Sequence, residues 1–158
     1  MATVYPANPP AARAPAARHP LHIVLAAFPI AYFIGAFVTD IVYANTAEMM
    51  WANFSVWMIT AGLIMGFIAA AVGLIDVFLV RRGGSARRDR WAGSGWHSVG
   101  NALVLILSLF NVLVHSRDAY TSVVPTGLIL SGIVSVLVLV TAWLGTAIVE
   151  APAVEEVQ

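Results

Sequence analysis

Residues 97–116 read HSVGNALVLILSLFNVLVHS, and this stretch decides the fold of the chain. It is apolar and long enough for a helix that crosses a lipid bilayer, which takes roughly 20 residues. It nevertheless carries a histidine at each end, His97 and His115. Their separation (115 − 97) is five helical turns at about 3.6 residues per turn. Both imidazoles are therefore predicted to lie on one face of the helix, about 27 Å apart.

Further polar residues continue this face between the two histidines. Asn101, Ser108 and Asn111 fall within about 40° of the line that joins them. Hydrocarbon penalises each unpaired polar group by several kcal/mol. The stripe is therefore predicted to face other helices or water, and its ionisable groups are candidates for function.

The composition of the whole chain extends this conclusion. Of its 158 residues 60% are hydrophobic and only 10% are charged, which is not the balance of a soluble domain. The absence of cysteine excludes disulfides, thiolate ligands and cysteine-ligated iron–sulfur clusters. Four apolar segments are each long enough to span a bilayer, namely 21–44, 54–80, 97–116 and 124–148.

We therefore predict an all-α fold, an antiparallel bundle of four transmembrane helices over residues 19–149. The short loops between the segments favour up-and-down threading. The Ala- and Pro-rich residues 1–18 are predicted to form a disordered tail, and residues 150–158 a short acidic one. The lipid bilayer is the expected partner, alone or together with other membrane subunits or further copies of this chain.

Five arginines crowd the loop between the second and third segments: Arg81, Arg82, Arg87, Arg88 and Arg90. In a soluble protein such a cluster would suggest nucleic-acid binding. Between two membrane spans it is explained by the positive-inside rule, so no nucleic acid is expected. The loop is predicted to be cytoplasmic, and an even number of spans places both termini there too. Arginine without lysine suggests a high-GC bacterium, and hence a bacterial inner membrane.

The other segments add polar residues and small packing faces. His22 and Asp40 lie five helical turns apart (40 − 22) on one face of the first segment. A row of small residues in the second segment predicts close helix contact and ends at Asp76. The fourth segment, with Gly127, Ser131 and Ser135, is predicted to be a wall of the bundle without a chemical role.

Up-and-down threading gathers the ionisable groups into two clusters. The cytoplasmic cluster holds His19, His22, Asp76 and His97. The far cluster holds Asp40, His115, Arg117 and Asp118.

Three interpretations of the cytoplasmic cluster remain open. His22 and His97 stand at similar depth on different helices, as the axial ligands of a haem b must, and His19 is an alternative to His22. Two or three histidines with Asp76 would instead suit a transition metal. In the third interpretation the imidazoles bind no cofactor and only form hydrogen bonds near the membrane surface. A haem would indicate electron transfer.

The far cluster does not repeat this pattern, because His115 has no histidine partner for a second haem. Asp40, Tyr43 or Asp118 could orient it, in a proton-accepting or structural pair. The sequence contains no nucleophile with a base, no phosphate loop and no metalloprotease motif. We therefore expect that the chain has no catalytic activity of its own. The alternatives are an accessory membrane subunit without cofactor and, with less support, a transporter of protons or small solutes.

Several short motifs resemble those of a bacterial family of four-span membrane proteins, the domain of unknown function twenty-two thirty-one. They are HPLH at 19–22, FPI at 28–30, Asp40, GLID at 73–76, His97 and GN at 100–101. The resemblance covers about residues 17–148. It implies an integral membrane protein without established activity, whose polar positions are compatible with haem or metal. The arrangement is also similar to four-helix b-type cytochromes, from which it departs at His115.

Overall fold

The computed structural model describes residues 20–81, 91–117 and 123–150. Within these ranges the chain is helical and contains no strand, so the prediction of an all-α fold is confirmed. The helices are α1 (Pro20–Thr46), α2 (Met49–Arg81), α3 (Trp91–His115) and α4 (Leu128–Glu150), and a short helical turn at Val123–Gly127 precedes α4. The predicted tails lie outside the described residues, apart from Glu150 at the end of α4.

Each helix contains a stretch that is long and apolar enough to cross a membrane. In the described ranges these four stretches are Leu21–Thr46, Met49–Ile75, Gly95–His115 and Val123–Gly145. A helix satisfies its backbone polar groups internally, as hydrocarbon demands. Large apolar side chains such as Phe67, Phe110 and Trp143 are exposed on the outside of the bundle, where lipid would contact them. The four predicted spans are confirmed, with ends that differ by a few residues.

The link between α1 and α2 is very short. Ala47 adopts a left-handed conformation (φ 56°), and its N–H donates to the carbonyl of Tyr43 (2.8 Å). A left-handed residue directly after a helix is a common way to end it. The chain therefore reverses within two residues, and α2 packs back along α1.

Polar contacts show how consecutive helices lie against each other. Thr39, late in α1, is hydrogen-bonded to Ser55, early in α2, with 2.7 Å between their hydroxyl oxygens. His97, early in α3, is hydrogen-bonded to the carbonyl of Thr141, late in α4, at 2.8 Å. Contacts of this kind are what the predicted antiparallel order requires.

An apolar core occupies the middle of the bundle, with residues from all four helices. The ring of Phe33 lies so close to Gly62 that a Cβ there would be 2.6 Å from it, which explains the small residue at this crossing. The core consists of Phe33, Ala36, Ile59, Leu63, Val104, Val134 and Val138.

The core separates two polar regions. Asp40 and His115 meet near the ends of α1 and α3, a region called the His115 end below. His22 and His97 each lie five turns earlier on the same helices, at what is called the His97 end.

Candidate functional site

The His115 end holds a hydrogen-bonded network of four fully buried side chains from three helices. Asp40 comes from α1, Asn111 and His115 from α3, and Ser131 from α4, and none is more than 1% exposed. His115 Nε2 lies 2.9 Å from Asp40 Oδ1. Ser131 donates its hydroxyl to Asp40 Oδ2 at 2.5 Å and accepts from Asn111 Nδ2 at 2.8 Å. The network thus joins α1, α3 and α4.

The backbone fixes the orientation of the His115 ring. Its Nδ1 lies 2.9 Å from the carbonyl oxygen of Asn111, one turn earlier on α3. The other side of the ring lies against Gly127, where a Cβ would be 2.7 Å from Cε1. Glycine at the turn before α4 therefore makes room for the imidazole.

These contacts fix the position of one proton of the His115–Asp40 pair and the number of protons that the pair holds. A carbonyl oxygen only accepts, so His115 Nδ1 carries a hydrogen. The contact between Nε2 and Oδ1 then needs one further proton, held either by the imidazole or by the carboxyl group. The pair is an imidazolium with a carboxylate, or an imidazole with a carboxylic acid, and its net charge is zero in both forms. Neutrality allows the pair to be buried without an uncompensated charge.

Two oxygens beside the network lack a partner within the described part of the chain. They are Asn111 Oδ1 and Ser108 Oγ, both buried and one turn apart on α3. The sequence places both residues on the polar face of α3, and the structure turns that face toward the interior.

The structure thus brings together three of the predicted candidates, Asp40, Asn111 and His115. Among the groups that the sequence offered to orient His115, Asp40 does so. Arg117 is exposed just beyond α3. Asp118 lies outside the described residues.

Sequence reasoning missed Ser131, because it treated α4 as a wall of the bundle. Its hydroxyl bonds both Asp40 and Asn111, so this residue of the wall also belongs to the polar network. The signal was available: a serine in an apolar helix needs a partner for its hydroxyl.

At the His97 end, both ring nitrogens of His97 are engaged. Nδ1 lies 2.8 Å from the carbonyl oxygen of Thr141 in α4 and therefore carries a hydrogen. Nε2 lies 2.9 Å from Asn101 Nδ2, one turn later on α3, and accepts from that amide. The ring also lies against Gly145, where a Cβ would be 3.0 Å from Cε1.

His22 is held in a similar way but with one difference. Its Nδ1 donates to the carbonyl of Ala69 in α2 at 3.2 Å, and its ring lies against Gly73, where a Cβ would be 3.0 Å from Cε1. Its Nε2 has no hydrogen-bond partner among the described residues. The imidazole is therefore fixed through one nitrogen, while the lone pair of the other meets no donor among the residues that the structure describes.

The imidazole nitrogens of His22 and His97 decide whether the His97 end suits a haem or a metal. In the described residues, no three His, Asp or Glu side chains group as a metal site would require. His19 and the side chain of Asp76 lie outside what the structure describes. A ligating histidine typically donates its other N–H to a carbonyl, as His22 and His97 both do. His22 fits this role directly, whereas His97 fits it only after Asn101 moves.

Comparison with known proteins supplies a family but no function. A family model described as "Predicted membrane protein (DUF2231)" matches residues 18–157. No curated protein and no solved structure matches the chain.

Proposed function

The chain belongs to the DUF2231 family of predicted membrane proteins, and from the geometry of its histidines we propose that it binds a haem b, or a transition metal, through His22 and His97. The chain is a membrane protein with four candidate spans. Its proposed location is the bacterial inner membrane. The arginine-rich loop and both termini are proposed to face the cytoplasm, in keeping with the positive-inside rule.

The proposal rests on one observation: His22 and His97 make the same two contacts with a neighbouring helix. Each donates Nδ1–H to a backbone carbonyl of the neighbouring helix, Ala69 or Thr141. Each ring also lies against a glycine one turn further along that helix. A hydrogen bond of this kind fixes the ring, which is the usual support of a metal-ligating histidine. Nε2 of His97 would bind a ligand in place of the Asn101 amide.

The chemistry of such a site would be electron transfer, since a haem with two imidazole ligands exchanges one electron without binding a substrate. The residues of this chain would orient the ligands and surround them with apolar helices that exclude water. With a transition metal instead, His19 and Asp76 are the proposed additional ligands.

The test is visible absorption of the protein purified in mild detergent from cells supplied with haem precursor. We expect a b-type spectrum after reduction, or a stoichiometric transition metal by elemental analysis. His22→Ala and His97→Ala should each lose the cofactor, whereas His115→Gln, at the other end, should keep it. Wild-type protein with neither haem nor metal would overturn the proposal, as would retention of the cofactor by both alanine variants.

A second function is favoured by the network at the His115 end, namely an accessory membrane subunit without cofactor. Asp40, His115 and Ser131 bond one another across three helices, as expected of a device that stabilises the bundle. The same purification distinguishes the two functions. An accessory subunit should co-purify with stoichiometric membrane neighbours and show no chromophore.

A further inference from the structure

The two halves of the chain place a histidine and a glycine at equivalent positions, His22 and Gly73 in the first half and His97 and Gly145 in the second. His22 and Asp40 in α1 become His97 and His115 in α3 after a shift of 75 in sequence number (97 − 22 and 115 − 40). Ala69 and Gly73 in α2 become Thr141 and Gly145 in α4 after a shift of 72 (141 − 69 and 145 − 73). The two shifts differ slightly because fewer residues lie between His115 and Thr141 than between Asp40 and Ala69.

The contacts repeat along with the positions. In the first half, His22 Nδ1 donates to the carbonyl of residue 69, and its ring lies against Gly73. In the second half, His97 Nδ1 donates to the carbonyl of residue 141, and its ring lies against Gly145. A Cβ at either glycine would be 3.0 Å from the histidine Cε1.

The remaining equivalent pair, Asp40 and His115, bond to each other at 2.9 Å. In a two-fold arrangement, a residue meets its own copy only at the axis. We infer that the chain is a repeat of two helical hairpins, α1–α2 and α3–α4, related by an approximate two-fold axis between Asp40 and His115. Its two histidine sites are copies, of which His22 is open to a ligand and His97 is closed by Asn101.

The difference between the copies comes from one position. Asn101 lies one helical turn after His97 and donates its amide to Nε2. The equivalent residue after His22 is Ala26, whose methyl group has no donor. With no donor to it in the described part of the chain, the lone pair of His22 Nε2 can bind an electron-pair acceptor such as a divalent late transition metal ion or a haem iron.

This assignment refines the proposed function, on which its ligand chemistry rests. His22 is the first ligand of the metal centre. His97 joins only when Asn101 releases Nε2, so Asn101 competes with the metal for that lone pair. Asn101→Ala should then strengthen the binding of haem, and Ala26→Asn should weaken it.

The asymmetry can be measured without any cofactor, by reaction with diethyl pyrocarbonate and mass spectrometry of each histidine. The reagent reacts with a ring nitrogen that carries no hydrogen, which is Nε2 in both residues. One hydrogen bond of roughly 1 kcal/mol corresponds to a change of about fivefold. Asn101→Ala should speed the modification of His97 by about that factor, and Ala26→Asn should slow that of His22 similarly.

Matched controls come from the same chain. Ala27→Asn places the same amide at the exposed neighbouring position and should leave the His22 rate unchanged. His115, fully buried, should stay unmodified in every folded variant and so reports loss of structure. The Ala26→Asn and Asn101→Ala variants test opposite changes, so one can decide if the other fails to fold.

The outcomes separate this inference from the proposed function. If neither substitution changes the modification rates of His22 and His97, the assignment of open and closed copies is overturned, even if wild-type protein binds haem. Wild-type protein that takes up neither haem nor added Zn²⁺ would overturn the proposed function. The expected rate changes would then still establish the open and closed copies.

Discussion

His115 Nε2 and Asp40 Oδ1 lie 2.9 Å apart although the two residues are separated by 75 positions in the chain. Both side chains are completely buried. An isolated charge in such surroundings would be very unfavourable, so each residue requires the other. The pair therefore fixes how α1 and α3 lie against each other at this end of the bundle.

We expect the loss of either partner to destabilise the bundle strongly. Asp40→Ala and His115→Ala should each lower the free energy of unfolding by roughly 3–5 kcal/mol, because one buried ionisable group is left without its partner. The double variant should lose less than the sum of the two. Unfolding by denaturing detergent, followed by circular dichroism, measures the cycle. Strictly additive losses would contradict the direct pairing.

The hydrogen-bond pattern also predicts the tautomer of His115. Nδ1 faces a carbonyl and should carry a hydrogen. Nitrogen-15 NMR of histidine-labelled protein should therefore show a protonated Nδ1 at His115, and His115→Gln identifies the signal. A neutral ring with its hydrogen on Nε2 alone would contradict the network.

Two buried serines offer a matched test of the same network. Ser131→Ala leaves Asp40 Oδ2 and Asn111 Nδ2 without their partner and should cost on the order of 1–3 kcal/mol in the free energy of unfolding. Ser108→Ala removes a buried hydroxyl that has no partner among the described residues, and should be neutral or slightly stabilising. Equal losses in the two variants, by the same unfolding assay, would show that the bonds of Ser131 add nothing.

Much of the fold follows from the sequence, because one hydropathy pattern suffices to identify four spans. The spacing of five helical turns likewise predicts that His22 and Asp40 share one face of α1, as His97 and His115 share one of α3. These predictions need only the period of a helix. They do not depend on how the neighbouring helices pack.

The partners of the polar groups could not be predicted in the same way. The rotation and register of one helix against another depend on packing, such as that of Phe33 on Gly62, which the period of a single helix does not contain. For that reason the sequence predicts only a packing role for Ser131. The inferred repeat of the two hairpins is not evident from the sequence alone, because its halves share few polar positions.

The close contacts of glycine predict opposite effects for two substitutions. Gly127→Ala would place a Cβ 2.7 Å from the locked ring of His115 and should destabilise the protein by roughly 1–3 kcal/mol. Gly95→Ala, in α3, meets nothing within 4 Å and should stabilise it by up to about 1 kcal/mol through helix propensity. The same unfolding assay compares them, and equal effects would contradict the role of Gly127 as space for the imidazole.

The proposed topology can be tested cleanly because the chain contains no cysteine. Ser85→Cys lies in the arginine-rich loop, and Ala119→Cys lies between the third and fourth apolar segments. With four spans these two positions face opposite sides of the membrane. In intact cells a membrane-impermeant maleimide should label residue 119 and spare residue 85, since arginine-rich loops remain in the cytoplasm. Permeabilised cells serve as the control, and both positions should be labelled there.

Labelling of both positions in intact cells, or of neither, would overturn the four-span topology. Labelling of residue 85 alone would keep the spans and reverse their orientation.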